Sequence, residues 1–356
     1  MSDSRTKRLI LTCAAGLSVL LVVIIAGKSA FGKRKDKETE SCPVPVNLNE
    51  TLTNEMSDTS CLAGFDKIVK DYLTYWGIHG ASLSVMRNDS LLFAKGYGEA
   101  DTDKKMGPGN ILRMASVSKL VTAVGIMVLQ ERGLLSIKDH VFGPDGILND
   151  SAYVAAIKDT LYNRITVEDL MRHKGGFSKR GGDPMFSTRW IMMQNGWKEV
   201  PTQEQLMELQ LKRRVRFVPG TAQEYSNFGY LALSMVIEKV SGMDYETFMQ
   251  ENVLRPIGCV DFHIAGNYYK HKLPNETRYY VQHDDEPAEE FNNSGRKVIR
   301  CYGGNNVTGL SGAGAWAAST PELALLVASI DGRPEVPDII SKESVDQMTA
   351  VSYTHL

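Results

Sequence analysis

The chain has 356 residues, 43% hydrophobic and 23% charged, which is enough to bury one large core or two lobes. A formal net charge of −2 leaves no electrostatic footprint for nucleic acid. The seven histidines offer no metal-binding spacing such as His-Glu-x-x-His, and no phosphate-cradling glycine loop precedes a helix, so neither metal nor cofactor is expected.

Residues 1–8 form a basic tail with Arg5, Lys7 and Arg8. Leu9 to Gly27 then runs nineteen residues without a charge, about what a bilayer helix requires. The reading is an uncleaved membrane anchor over 9–27, single-pass, with the remainder outside the cytoplasm. A cleaved signal peptide, leaving a secreted or periplasmic protein, is the rival; the long run and Lys28 at the small-residue exit count against it. Cations on both flanks, Lys33, Arg34, Lys35 and Lys37 on the far side, leave topology open. Residues 28–60 are charged, polar and proline-containing and read as a tether, and 61–356 form the folded domain. Of five cysteines, Cys13 lies in the anchor; Cys42, Cys61, Cys259 and Cys301 allow three disulfide connectivities or four buried thiols.

Ala63 to Trp76 has helical patterning, and His79–Met86 with Ser90–Gly98 reads as a hairpin turning at Asn88-Asp89. Helices are expected to dominate from Ser116 to Asn252, with strands returning after Cys301 and further helices over Pro321–Ser329 and Ser341–Met348. Strands, a helical middle, then sheet again imply an α+β fold: an antiparallel sheet flanked by helices, with an inserted all-helical lobe. Met185, Phe186, Trp190, Met192, Met193 and Trp197 either wall a cleft at the junction or form that lobe's core. The cations Lys212, Arg213, Arg214 and Arg216 read as a solvated face, and the acidic run Asp284 to Glu290 as a solvated loop without a calcium-loop glycine.

Chemistry concentrates at Ser116-Val117-Ser118-Lys119. Ser-x-x-Lys also occurs at Ser4–Lys7 and Ser294–Lys297, but only Ser116 opens an apolar helix, which runs from Leu120 to a plausible C-terminal glycine at Gly133. A serine hydroxyl needs a base, and on a helix Lys119 shares its face. Lys119 would have to be depressed by roughly three units to serve at pH 7. Tyr225, the only one of fourteen tyrosines with asparagine two positions on, precedes a second apolar helix, Phe228 to Val240. Lys119 and Tyr225 can share one proton, and the residues do not assign the base to either. Taken singly, Ser116 and Asn227 could each be only helix caps, and Tyr225 a core tyrosine.

Together these residues resemble the serine beta-lactamase and penicillin-binding superfamily, in particular its class C beta-lactamase, D-alanyl-D-alanine carboxypeptidase and esterase branch. Three further stretches carry the likeness. Residues 165–177 resemble "ITIRHLLTHTSGL", residues 217–230 resemble "F-x-PG-x-x-x-x-YSN-x-GY", and residues 309–323 resemble "AGGLxSTxxDL". The resemblance implies that Ser116 is acylated and that its N–H is half of an oxyanion hole. It further implies that Lys119 and Tyr225 transfer protons, that Asn227 holds the substrate's amide carbonyl, and that His173 is structural.

The third motif of this superfamily, Lys/His/Arg-Thr/x-Gly on a strand walling the site, does not follow Gly312. The chain therefore reads as shortened at its C terminus, lacking the last strands and a second oxyanion donor, and these 356 residues are expected to be nearly inactive. The expected function is extracytoplasmic serine hydrolysis through a Ser116 ester on a cell-wall peptide, beta-lactam or small ester. The alternative is a non-catalytic penicillin-binding-like sensor or scaffold at the envelope. The sequence leaves the oligomeric state open.

Overall fold

The computed structural model describes residues 21–24, 47–59, 63–177, 182–281 and 287–350. Most of the 9–27 run expected as an anchor lies outside them; its residues Leu21–Ile24 are described as a strand (β1), not as helix. No helix among the described residues is long and apolar enough to cross a membrane. Cys13, Cys42 and Cys61, the Ser4–Lys7 pair and Asp284, Asp285 and Glu286 of the acidic run also fall outside.

The tether expected over 28–60 is folded in its second half. Helix α1 (Leu48–Thr51) and a 3-10 turn at Asn54–Ser57 lie against the domain. Asn54 Oδ1 accepts from Gly96 N at 2.8 Å and its Nδ2 donates to Met106 O at 2.9 Å. Ser57 Oγ bonds both backbone groups of Ala94, and Asp58 pairs with Lys95, a lysine only 7% exposed. A polar composition here supplies side-chain partners to a strand edge, which composition alone reads as solvation.

Helix α2 (Ala63–Trp76) packs on the hairpin β2 (Gly80–Arg87) and β3 (Ser90–Asp101). Asn88 and Asp89 both have positive φ, 48° and 58°, the geometry of a two-residue turn matched to strand twist. Because side chains alternate across a strand, Leu83 and Val85 meet Phe65, Val69 and Leu73 of α2, whereas Ser82 and Ser84 on the opposite face bond Thr320. Strand β4 (Lys104–Lys105) and β1 complete a sheet of order β1-β2-β3-β4, with β1 parallel to β2.

Strand β5 (Leu112–Arg113) leads through a 3-10 turn, Ala115–Val117, into α3 (Ser118–Glu131). From Val121 to Leu129 every α3 residue is buried, so the helix runs through the core rather than over it. Gly125 permits this, since a Cβ there would lie 2.5 Å from Met249 Sδ. The helical lobe follows as α4 (Ser151–Ala156), α5 (Val167–Met171), α6 (Thr188–Asn195) and α7 (Gln203–Leu211). Helix α8 (Asn227–Ser241) then returns against α3, and α9 (Tyr245–Met249) continues into a wider π turn at Gln250–Leu254.

The expected single antiparallel sheet is divided. Beyond the hairpin sheet, β6 (His263–Ile264) and β5 flank β9 (Trp316–Ala318), and β7 (Ala288–Glu289) pairs with β8 (Lys297–Val298). Helices α10 (Thr320–Ala328) and α11 (Lys342–Thr349) close the described chain. Fully buried Trp316, Tyr162, Phe142, Phe228, Phe248 and Phe262 join the helical lobe and the β5-β9-β6 sheet in one core.

Candidate active site

The site forms where the N-terminal ends of α3 and α8 meet the turn before β9. Met114 N donates to Trp316 O at 2.8 Å, fixing the chain just before the 3-10 turn that carries Ser116. Ser118 Oγ accepts from Trp316 N, and Thr122 Oγ1 donates to Gly312 O at 2.8 Å while pairing with Tyr245 OH at 2.7 Å. These bonds clamp residues 308–316 along α3 and bring Ala313 O to Lys119. Two residues beside the clamp, Ala115 (φ 47°) and Ser311 (φ 44°), occupy the left-handed region without being glycine. Such conformations cost on the order of 1–3 kcal/mol and persist only where surrounding bonds over-determine them.

On the opposite wall, Ser226 caps α8 by accepting from Gly229 N at 3.1 Å, leaving Tyr225 just outside the helix and Asn227 at its first position. His173, at φ 59°, sits beneath them. Its Nδ1 accepts from Ser226 N at 3.3 Å, its carbonyl takes Glu224 N at 2.8 Å, and its ring lies 4.5 Å from that of Tyr225. These contacts hold the Tyr225 segment.

The structure brings Ser116, Lys119, Tyr225 and Asn227 together. Ser116 Oγ lies 2.5 Å from Tyr225 OH and 3.3 Å from Lys119 Nζ. Lys119 Nζ also donates to Asn227 Oδ1 at 2.8 Å and Ala313 O at 2.6 Å, and it lies over the rings of Tyr225 and Tyr230 at 4.7 and 5.4 Å. Burial pushes Lys119 from its ordinary 10.5 down to about 8, against the opposing pull of the Asp183 carboxylate. Tyr225 moves the other way. Burial raises its phenol, and the Asp183 charge adds to that, outweighing the Ser116 hydrogen bond. Lys119 therefore loses its proton more readily than a free lysine, while Tyr225 holds its proton more tightly.

Asp183 is a residue the sequence reasoning missed. Its Oδ2 accepts from Asn227 Nδ2 at 2.7 Å, and its Oδ1 caps the 3-10 turn Pro184–Phe186 through Met185 N. The dipeptide Asp183-Pro184 is itself a helix-start signal, but nothing local in sequence ties it to an asparagine 44 positions on. Of the residues expected to wall a cleft, Met185 and Met192 are buried in the core, whereas Phe186, Trp190 and Met193 are about half exposed. The other described Ser-x-x-Lys is bound up elsewhere, exposed Ser294 with buried Glu290 and Lys297 with Glu289. Lys95 is paired with Asp58 and Asp66. Among the described residues no group of three or more His, Cys, Asp or Glu side chains is arranged to hold a metal ion.

The chain is 24% identical over 188 residues to Penicillin-binding protein 4* of Bacillus subtilis, covering 52% of this chain and 37% of that protein. It is 23% identical over 234 residues to a putative D-alanyl-D-alanine carboxypeptidase of Escherichia coli O157:H7, covering 62% of this chain and 49% of the relative. The chain thus spans less than half the length of these two curated relatives. Among solved structures, the octameric penicillin-binding protein homologue from Pyrococcus abyssi superposes with a TM-score of 0.57 at 23% identity, over 80% of this chain and 59% of that one. D-amino acid amidase from Ochrobactrum anthropi SV3 gives 0.58 at 19% identity, over 81% and 74%. The Beta-lactamase family profile matches residues 65–355, most of the chain, and the chain belongs to that family.

Proposed function

We propose that this protein is a serine hydrolase acting by acyl transfer through Ser116, on a small peptide, amide, ester or beta-lactam. The observation that carries this is the contact of Ser116 Oγ with both a phenol at 2.5 Å and a buried amine at 3.3 Å, the amine depressed to about 8. A lysine with that value is about one-tenth neutral at pH 7, roughly 300-fold more than an unperturbed one.

Neutral Lys119 takes the Ser116 hydroxyl proton as Oγ attacks the substrate carbonyl, giving a tetrahedral oxyanion and a Lys119 ammonium. The Ser116 N–H, at the start of the 3-10 turn leading into α3, offers one donor to that oxyanion. Tyr225 donates its phenolic proton to the leaving nitrogen or oxygen and is reprotonated from Lys119, so the pair ends as it began and the acyl group remains on Ser116. Water repeats the sequence in the second half-reaction and frees the acid. Asn227 commits its oxygen to Lys119 and one amide hydrogen to Asp183. Its remaining N–H is the group suited to a substrate carbonyl.

D-Alanyl-D-alanine carboxypeptidase and amidase chemistry, named for the relatives, makes a short peptide or amide the first substrate class to try. Action outside the cytoplasm rests on the length and neutrality of the run 9–27 behind a basic tail.

The test is covalent labelling. A fluorescent fluorophosphonate or penicillin should modify Ser116 alone, located by peptide mapping, and labelling should vanish in Ser116→Ala. Modification of Ser226 or Ser311, or undiminished labelling of Ser116→Ala, would overturn the assignment.

A further inference from the structure

We propose that Asp183 is a positioning residue of this site: its carboxylate fixes the Asn227 side-chain amide so that Oδ1, not Nδ2, faces the Lys119 ammonium. The proposal rests on the reading of Ser116 and Lys119 given above and extends it to a residue outside the Ser-x-x-Lys and Tyr-x-Asn motifs.

An asparagine amide has an acceptor end and a donor end of almost the same shape, so burial alone does not choose its orientation. Asn227 is only 7% exposed and lies between two charges of opposite sign. Its Oδ1 accepts from Lys119 Nζ at 2.8 Å, and its Nδ2 donates to Asp183 Oδ2 at 2.7 Å. Turning the amide over would set an NH2 against an ammonium and a carbonyl against a carboxylate, two repulsive contacts in a dry site. An ionised carboxylate can only accept, so Asp183 enforces the observed arrangement. Its second oxygen is engaged as well, accepting from Met185 N at 3.0 Å, and Pro184 directly after it stiffens the turn. The aspartate is thus anchored to its own turn and reaches the amine through one intervening side chain.

Charge follows geometry. Among the described residues, the groups in contact with Lys119 are the Tyr225 and Tyr230 rings, the Ser116 hydroxyl and the Asn227 and Ala313 carbonyls, and Lys119 shares the lining of a cavity of about 200 Å³ with Glu168 and Arg172. His173 lies against the rings of Tyr225 and Tyr230. The Asp183 carboxylate raises the Lys119 value against burial and also raises that of Tyr225. Holding the phenol protonated at rest preserves it as a donor to the leaving group.

Two variants separate orientation from charge. Asp183→Asn loses the charge and keeps one acceptor oxygen, enough for Asn227 Nδ2 at the expense of the Met185 N cap; Asp183→Ala loses the charge and both acceptors. The maximal rate of Ser116 labelling should fall roughly tenfold or more in Asp183→Ala and return to within about threefold of wild type in Asp183→Asn. In both, the Lys119 side chain, followed by NMR in protein carrying 13C-lysine and assigned with Lys119→Arg, should titrate at lower pH by about half a unit or more. Wild-type labelling by Asp183→Ala, or Asp183→Asn as slow as Asp183→Ala, overturns the proposal, as does an unmoved Lys119 titration in Asp183→Asn. If the Ala variant fails to fold, the Asn titration alone decides. If wild-type Ser116 is never acylated, the hydrolase reading fails, and the Lys119 titration still tests Asp183.

Discussion

Lys119→Met separates the electrostatic cost of the buried amine from its contacts. The methionine keeps length and apolar volume but removes a group whose value falls from 10.5 in the unfolded chain to about 8 in the fold. Because the folded value is the lower one, the unfolded chain binds more protons between pH 8 and 10.5, and wild-type stability rises as pH climbs through that interval. The burden is fully present below pH 8 and gone above 10.5. Linkage puts it at about 3 kcal/mol at pH 7 and a little over 1 kcal/mol at pH 9.5. The substitution also strips Asn227 Oδ1 and Ala313 O of their Lys119 donor, a cost of about 1–3 kcal/mol each that does not depend on pH. The sign at one pH therefore mixes several effects, but the change with pH isolates one. Wild type should gain about 2 kcal/mol on Lys119→Met between pH 7 and pH 9.5, read from urea unfolding of both proteins at both pH values. A stability gap that stays constant to within about 0.5 kcal/mol would refute the depressed amine, and with it the argument that Lys119 is ready to act as a base near neutrality.

Tyr225→Phe should slow Ser116 acylation by about 10²–10⁴-fold with little change in melting temperature, because the ring keeps its packing on His173 and loses only the hydroxyl 2.5 Å from Ser116. Normal acylation with a lowered melting temperature would return Tyr225 to a structural role. Gly109→Ala should loosen the segment 47–58, since a Cβ at Gly109 would stand 2.2 Å from the backbone oxygen of Asn49, so one of the two backbones must shift. Limited proteolysis should then cut around Asn47–Thr59 faster than in wild type, and an unchanged cleavage rate would show that this segment is not docked in solution.

Much of the fold was legible because it depends on local pattern. The α2 helix and the hairpin turn at Asn88-Asp89 follow from periodicity and from residues that tolerate positive φ, and both stand where the sequence puts them. The second half of the expected tether was misread for a physical reason. Asn54 and Ser57 are polar because they bond backbone groups, and Asp58, though 56% exposed, also pairs with a buried lysine. Composition does not distinguish those two uses of a polar side chain. The sheet was drawn too simply for a similar reason: strands of two or three residues such as β5, β6 and β9 are made by long-range pairing, without a run long enough to show alternation.

The site divides along the same line. Ser116 and Lys119 lie three residues apart at the start of one helix, and Tyr225 and Asn227 flank the cap of another, so each pair is visible in a short window of sequence. Asp183 and the Ala313 carbonyl are different. They enter only because the Thr122–Gly312 bond and the turn at Pro184 bring remote chain onto Lys119 and Asn227. Those distant groups bear on the electrostatics: Ala313 O accepts from the amine, and Asp183 orients the amide and opposes the burial that depresses Lys119. A motif can therefore nominate the nucleophile and its proton partners, while the pH at which they act depends on residues that no local spacing reveals. Ser294 and Lys297 make the same point from the other side. They repeat the spacing in an exposed turn, paired with glutamates, with nothing to desolvate the amine.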